Sequence, residues 1–105
     1  MDVLLLIDEP VFPGCVVPAR LIGVIEAEQR EHGTTMRNDR LLAVACDSRE
    51  HHSIRSIKDL DENLVCQIEH FFSSYNAIKG RRFTILGRRG RHAAAKAVRK
   101  ATNAH

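Results

Sequence analysis

No tryptophan occurs among the 105 residues, and one tyrosine with four phenylalanines makes up the whole aromatic content. That leaves little surface for stacking bases and weighs against a nucleic-acid binder, although the chain is basic overall. A membrane-length apolar run is also missing. The aliphatic stretch Val3, Leu4, Leu5, Leu6 and Ile7 is too short to span a bilayer, lacks the basic lead-in of a secretory signal, and is broken by Asp8, Glu9 and Pro10. A cytoplasmic protein that does not enter a membrane is therefore expected. Cysteine is sparse: Cys15, Cys46 and Cys66 form an odd set with no close pair, which excludes an obvious zinc site or redox dithiol and points to reduced, semi-buried thiols. Acid, finally, is absent from one region. From Lys79 onward there are nine Lys or Arg and no Asp or Glu, whereas the first 78 residues carry seven bases and thirteen acids, charges of +9 and −6.

What is present suits one small domain, of a length that buries over about 60 per cent of its unfolded surface. Five aliphatics in a row at 3–7 belong to a strand of the kind buried on both faces. The prolines and glycine of "EPVFPG" stop it in a turn. A longer strand is expected over 15–28, in which Gly23 signals a bulge or a close backbone approach. Alternation places Val17, Ala19, Leu21, Gly23 and Ile25 on one face, with Val16, Pro18, Arg20, Ile22 and Val24 on the other. "REHGTTM" reads as a polar hairpin loop, and 37–46 as a third strand antiparallel to the second. The segment "DSREHHSIRSIKDLDE" has no periodicity and reads as a loop. After it Leu64, Val65, Ile68, Phe71, Phe72 and Tyr75 recur at helical spacing, with Asp59 or Asp61 as N-cap, Glu62 in the first turn, and Asn76 and Gly80 at the end. "RRFTIL" follows as a fourth strand, and 90–105 as an Ala-rich helix with a basic outer face. No internal repeat is visible. The order predicts an α+β domain: a partial antiparallel β-barrel with two C-terminal helices.

Spacing alone locates little chemistry. His51 and His52 beside Glu50 point in different directions with no third imidazole, so a solvated loop is the reading. His70, on the helix, reads as a core or rim residue. Arg20 reads as the partner in a structural ion pair. "GRRGR" at 87–91 offers freed backbone N–H groups and bidentate guanidinium groups, the makings of a phosphate or polyanion site, and equally of a turn into the last helix with solvated arginines.

In order along the chain, "DVLLL", "PGCVVPARLIGVIEAEQ", "NDRLLAVA" and "IKDLDENLVCQIEHFFSSYNAIKGRRF" together resemble the C-terminal portion of a bacterial-type soluble inorganic pyrophosphatase with an OB-like β-barrel core. The resemblance implies Mg2+-dependent hydrolysis of pyrophosphate to two phosphates, in a cavity combining carboxylates for the ions with Lys, Arg and Tyr for the phosphates. It also implies a chain lacking the family's N-terminal part, where two aspartates of the motif D-x-D-P-x-D-V-L belong; Asp2 matches the third.

Carried over residue by residue, the family's D-x-K on the strand after the hairpin corresponds to Asn38, Asp39 and Arg40, so the implied metal positions are Asp2, Asn38 and Asp39. Asn38 brings a neutral oxygen, and Asp39 belongs to the opposite face of the strand. Arg40 can replace the lysine's charge as a phosphate ligand. A further family aspartate, about five residues earlier, has only Glu28 or Glu31 near it. The family's Tyr-Lys is here Tyr75 and Asn76, which keeps the phenol and loses the charge; Lys79, Arg81 or Arg82 is the candidate replacement. Asp2 reads equally as a solvated carboxylate, and Tyr75 as a continuation of the apolar stripe. The expected partners are pyrophosphate or phosphate and a further chain, a homo-oligomer or a complementing one, over the edge of the first strand. The alternative is a non-catalytic module binding polyanions or nucleic acid through Arg81, Arg82, Arg88, Arg89 and Arg91.

Overall fold

Gly23 sits where three segments converge, and the chain tolerates no larger residue there. A Cβ on it would lie 2.7 Å from the Arg89 carbonyl oxygen and 2.8 Å from Ile57 Cβ. In the computed structural model, which describes residues 2–7, 14 and 16–103, with the side chains of 2 and 101–103 outside the description, Gly23 belongs to the long central strand. The elements are β1 (Asp2–Leu6), β2 (Ala19–Glu31), β3 (Thr34–Arg37), β4 (Arg40–Ala45), a short 3-10 turn (Ile57–Asp59), α1 (Glu62–Ile78), β5 (Arg82–Gly90) and α2 (Arg91–Asn103). Cys15 and the turn at 8–13 lie outside the described residues.

β2 organises the sheet, pairing antiparallel with β3, β4 and β5. β1 pairs with β4 in parallel. The sheet is therefore mixed rather than wholly antiparallel, because β4 inserts between β1 and β2. It does not close among the described residues, which makes it a partial barrel in an α+β domain.

The expected bulge is real and has a consequence that simple alternation missed. The β2–β4 register shifts between Leu21 and Gly23, so the strand's parity changes there. Ile22 and Ile25, assigned to opposite faces by sequence, lie together in the main core with Ala27, Leu42, Val44, Val65 and Phe72. Leu21 and Val24 turn to the other face and meet Leu41, Ala93, Ala94 and Ala97. α1 thus covers one face of the sheet, while the small side chains of α2 let that helix approach the other closely. Lys96, Arg99 and Lys100 remain exposed on its outer side.

Three boundaries differ from expectation for local reasons. β2 continues to Glu31, because His32 and Gly33 both adopt positive φ (53° and 77°), the geometry of a two-residue hairpin turn that lets the strands pair up to it. β5 runs through Gly90, so "GRRGR" is strand leading directly into a helix rather than a turn. β1 is not buried on both faces: Val3 is 52 % exposed and Leu4 to Ile7 are half-buried, since among the described residues β1 pairs only with β4.

The two candidate caps both serve, on different turns. Asp61 Oδ1 accepts from Asn63 N at the start of α1. Asp59 Oδ2 accepts from the backbone N–H groups of Arg55 and Ser56, and these hold its carboxyl below the ordinary range. Arg20 donates to the carbonyls of Ile54 (2.8 Å), His51 (2.7 Å) and His52 (3.1 Å). Its role is structural, as expected, but its partners are loop carbonyls and not an acid. Cys46 and Cys66 are free thiols, exposed rather than semi-buried.

Candidate functional site

α1 stops in a way that folds the chain back over its own end. Gly80 takes φ +76° and its N–H donates to the Ala77 carbonyl, while Arg81 N–H donates to the Asn76 carbonyl at 2.9 Å. This paired closure is a Schellman motif, with glycine at the left-handed position. It delivers Arg81 beside Asn76, at the end of the α1-covered face where Arg40 begins β4.

Arg40 is 6 % exposed, and its guanidinium lies 5.4 Å from the centre of the Phe72 ring and 5.5 Å from that of Phe83. Stacking on two rings stabilises a desolvated guanidinium better than an ammonium, which is the physical reason an arginine suits this position. Burial first, then the charge of nearby Arg81, pull Arg40 below its ordinary value, and the Tyr75 phenol opposes them. Arg40 stays charged regardless, since guanidinium titrates far above neutrality. Arg81 is half-buried, and its Nε is enclosed with no hydrogen-bond partner.

Tyr75 is 44 % exposed and carries Lys79 Nζ 5.1 Å from its ring centre, with Phe71 stacked at 6.0 Å. It lies at the rim of the apolar stripe. Asn76 is fully buried: Nδ2 donates to the Phe72 carbonyl at 2.7 Å, and Oδ1 is enclosed without a partner. The structure thus brings Arg40, Tyr75, Asn76 and Arg81 together. Of the three replacements considered for the missing lysine, Arg81 joins this cluster. Lys79 covers the tyrosine, and Arg82 lines a shallow cavity with Glu28, Arg30, Thr35 and Thr84.

Asn38 and Asp39 form the link between β3 and β4 rather than part of one strand, and their side chains take different partners. The Asn38 side-chain amide donates to Gln29 Oε1, and Gln29 is itself buried. Asp39 Oδ1 accepts from Ala27 N at 3.0 Å and from Arg37, whose guanidinium also reaches Glu26 at 3.1 Å. Asp39 therefore holds the β2–β3–β4 junction. Gln29 was not singled out by sequence, where Glu28 and Glu31 drew attention as carboxylates. Counting alternate residues from Ile25 through Ala27 would have found it. Asp2 lies in β1 opposite Arg40 in backbone register, and its side chain lies outside the described residues.

Among the described residues the donor set does not fit Mg2+. A hard cation takes charged carboxylate oxygens in near-octahedral geometry, and this end of the face presents two amides linked to each other, a phenol and guanidinium groups. Among the described residues no group of three or more His, Cys, Asp or Glu is placed to hold a metal ion.

The remaining sequence candidates are accounted for elsewhere. His70 is exposed, 3.4 Å from Ser74 Oγ, and His51 and His52 belong to the loop that Arg20 clasps. Arg88 is bound by Glu62 and Glu69 with N–O distances of 2.8 Å, which raises its pKa. No helix among the described residues is long and apolar enough to cross a membrane.

Comparison with known proteins bears directly on this geometry. The family model described as inorganic pyrophosphatase matches residues 1–105. An inorganic pyrophosphatase of Geobacillus stearothermophilus is 32 % identical over 98 residues, covering 93 % of this chain and 57 % of the relative. One from Corynebacterium efficiens is 39 % identical over 79 residues, covering 75 % and 47 %. Among solved structures, an inorganic pyrophosphatase of Helicobacter pylori superimposes with a TM-score of 0.85 at 28 % identity, over 97 % of this chain and 59 % of that one. The Thermus thermophilus enzyme gives 0.80 at 30 % identity, over 91 % and 55 %. The chain spans about half the length of the curated relatives it matches.

Proposed function

The chain belongs to the inorganic pyrophosphatase family, and from that premise we propose that it supplies the phosphate-gripping part of a pyrophosphate site, with little or no hydrolysis when alone. The convergence of Arg40, Tyr75 and Arg81 at one end of the α1-covered face carries this reading. Guanidinium groups offer forked donors that match phosphate oxygens, and a phenol adds a further donor.

Hydrolysis of pyrophosphate adds one water across the P–O–P bridge. A bond forms from the water oxygen to one phosphorus, the bridging P–O bond breaks, the leaving phosphate keeps the bridging oxygen, and the water's protons pass to the products. Arginine and amide side chains can orient the oxyanion and neutralise charge on the leaving group, but a guanidinium has no acceptor with which to take a proton from water. The family's ion-dependent activation of water therefore falls outside what the described residues do. Of the carboxylates that the resemblance assigns to that task, Asp39 is engaged by Ala27 N and Arg37, which leaves Asp2 by its motif position.

The same reading gives the chain a partner, a second copy or a complementing chain, along the edge of β1 that is unpaired among the described residues and where Val3 is half exposed. It places the chain in the cytoplasm, a compartment consistent with two free thiols. The competing polyanion reading of the basic C-terminal segment is weakened because Arg88 is committed to Glu62 and Glu69. Phosphate release from pyrophosphate in millimolar Mg2+ is the direct test. Release at the rate of the protein-free control, together with calorimetric binding of pyrophosphate that Arg40→Gln abolishes, is expected. Turnover by the purified chain that Asp2→Ala removes would replace this reading with that of a complete enzyme.

A further inference from the structure

Towards the hairpin, the two faces of the β2–β5 ribbon differ in chemistry. Ala27 of β2 and Phe83 of β5 belong to the main core, and Gln29, opposite Phe83, is buried beside them. These residues fix the strands from beneath. The alternate positions, Glu28 and Arg30 of β2 with Thr84 and Arg82 of β5, fall on the other face. There, with Thr35 of β3, they line a shallow cavity of about 190 Å³. Strand register sets their spacing: Arg30 stands directly opposite Arg82 on one side and Thr35 on the other, and Glu28 stands opposite Thr84.

Like charges directly opposed across two strands are destabilising. Among the described residues the side chains of Arg30, Arg82 and Glu28 form no hydrogen bond or ion pair. Glu28 also faces Arg37 across β3, but that guanidinium is spent on Glu26 and Asp39, each at 3.1 Å. The cavity thus holds two guanidinium forks, two hydroxyls and one carboxylate, a net positive set. Its volume is below the about 300 Å³ at which drug-sized ligands are taken, so it suits a small ion.

We propose that this cavity binds inorganic phosphate, on the face of the sheet opposite Arg40, with Arg30, Arg82, Thr35 and Thr84 donating to its oxygens and Glu28 accepting from its hydroxyl. The carboxylate chooses the anion. Near neutrality phosphate keeps at least one P–OH group, which donates to an ionised carboxylate. Sulfate keeps none, so its oxygens and those of Glu28 meet as acceptor against acceptor. An oxyanion bridging Arg30 and Arg82 also relieves their mutual repulsion.

Sodium phosphate and sodium sulfate are titrated separately into the full, isotope-labelled chain at matched ionic strength, and the backbone amide resonances of Thr35 and Thr84 are followed. Saturable shifts with phosphate and none with sulfate are expected. Arg30→Gln and Arg82→Gln should each weaken phosphate at least about tenfold, the scale of a lost hydrogen bond to a charged group. Both arginines are exposed, so their loss leaves the core intact. Glu28→Gln should admit sulfate, and Arg40→Gln should leave the response at these amides unchanged. Equal shifts from sulfate in the native chain, or no saturation with phosphate, would overturn the inference. So would sulfate exclusion that survives Glu28→Gln, or a response that Arg40→Gln removes.

Discussion

At the N-terminal half of α1, Glu62 and Glu69 close on Arg88 with four hydrogen bonds of 2.8 Å. At the C-terminal end of the same helix Arg40 lies between Phe72 and Phe83, with a second arginine and a phenol as neighbours. Both arginines come from the sheet, and both meet the same helix. In the first the helix spends two carboxylates on the cation, so its charge is quenched and the contact only fastens β5 to α1. In the second the helix offers aromatic faces to the guanidinium and a carbonyl to the backbone N–H of Arg81, and no carboxylate of the helix quenches the charge. A cation's function is thus decided less by its own identity than by what the facing element brings to it.

The most damaging way to break this comparison is to remove a ring from under Arg40. Phe72→Ala is expected to lower stability by about 3–5 kcal/mol, since it opens the core as well as the guanidinium's seat, and chemical denaturation measures it. Arg88→Ala should cost about 2 kcal/mol, the scale of charge-assisted hydrogen bonds, while changing pyrophosphate affinity less than about twofold. Equal loss of affinity in Arg88→Ala and Arg40→Gln would erase the distinction between the two ends. Smaller still is the acid limb of stability. The guanidinium of Arg88 holds the Glu62 carboxyl below its ordinary value of 4.5, so the folded state gains from the ionised form. That contribution is fully present above the ordinary value and is lost as pH falls through the depressed one. Melting temperature should therefore fall below about pH 4.5, less steeply in Arg88→Ala, where the part due to Asp59 and its backbone donors remains. The least effect belongs to Lys79→Ala, about 0.5 kcal/mol for an exposed cation–π contact.

Much of the fold was legible because local rules and tertiary demands agree. The stripe Val65, Ile68, Phe72, the cap at Asp61 and the stop at Gly80 mark α1, and all three act as local chemistry requires. Gly23 announced a close approach, and Arg89 and Ile57 are what approach it. Alternation along β2 failed where the bulge changes parity, and a bulge depends on the partner strand's register, which no stretch of β2 contains. Gln29 keeps step with Ile25 and Ala27 beyond the bulge, but an uncharged amide does not stand out beside the carboxylates of Glu28 and Glu31. Phe71 and Tyr75 continue the apolar stripe in sequence but stand half exposed, stacked on one another.

The residues alone determined the family, through motifs quoted in order along nearly the whole chain, and the identities that depart from it: Asn38 for an acid, Arg40 for a lysine, Asn76 for another. They also determined the segregation of charge, which made every arginine beyond Lys79 an equal candidate for an anion. Only the tertiary structure separated them, because electrostatics is a matter of distance and burial rather than order along the chain. It gave Arg88 to two carboxylates, turned Arg82 to the opposite face, and brought Arg81 round the end of α1 to Arg40.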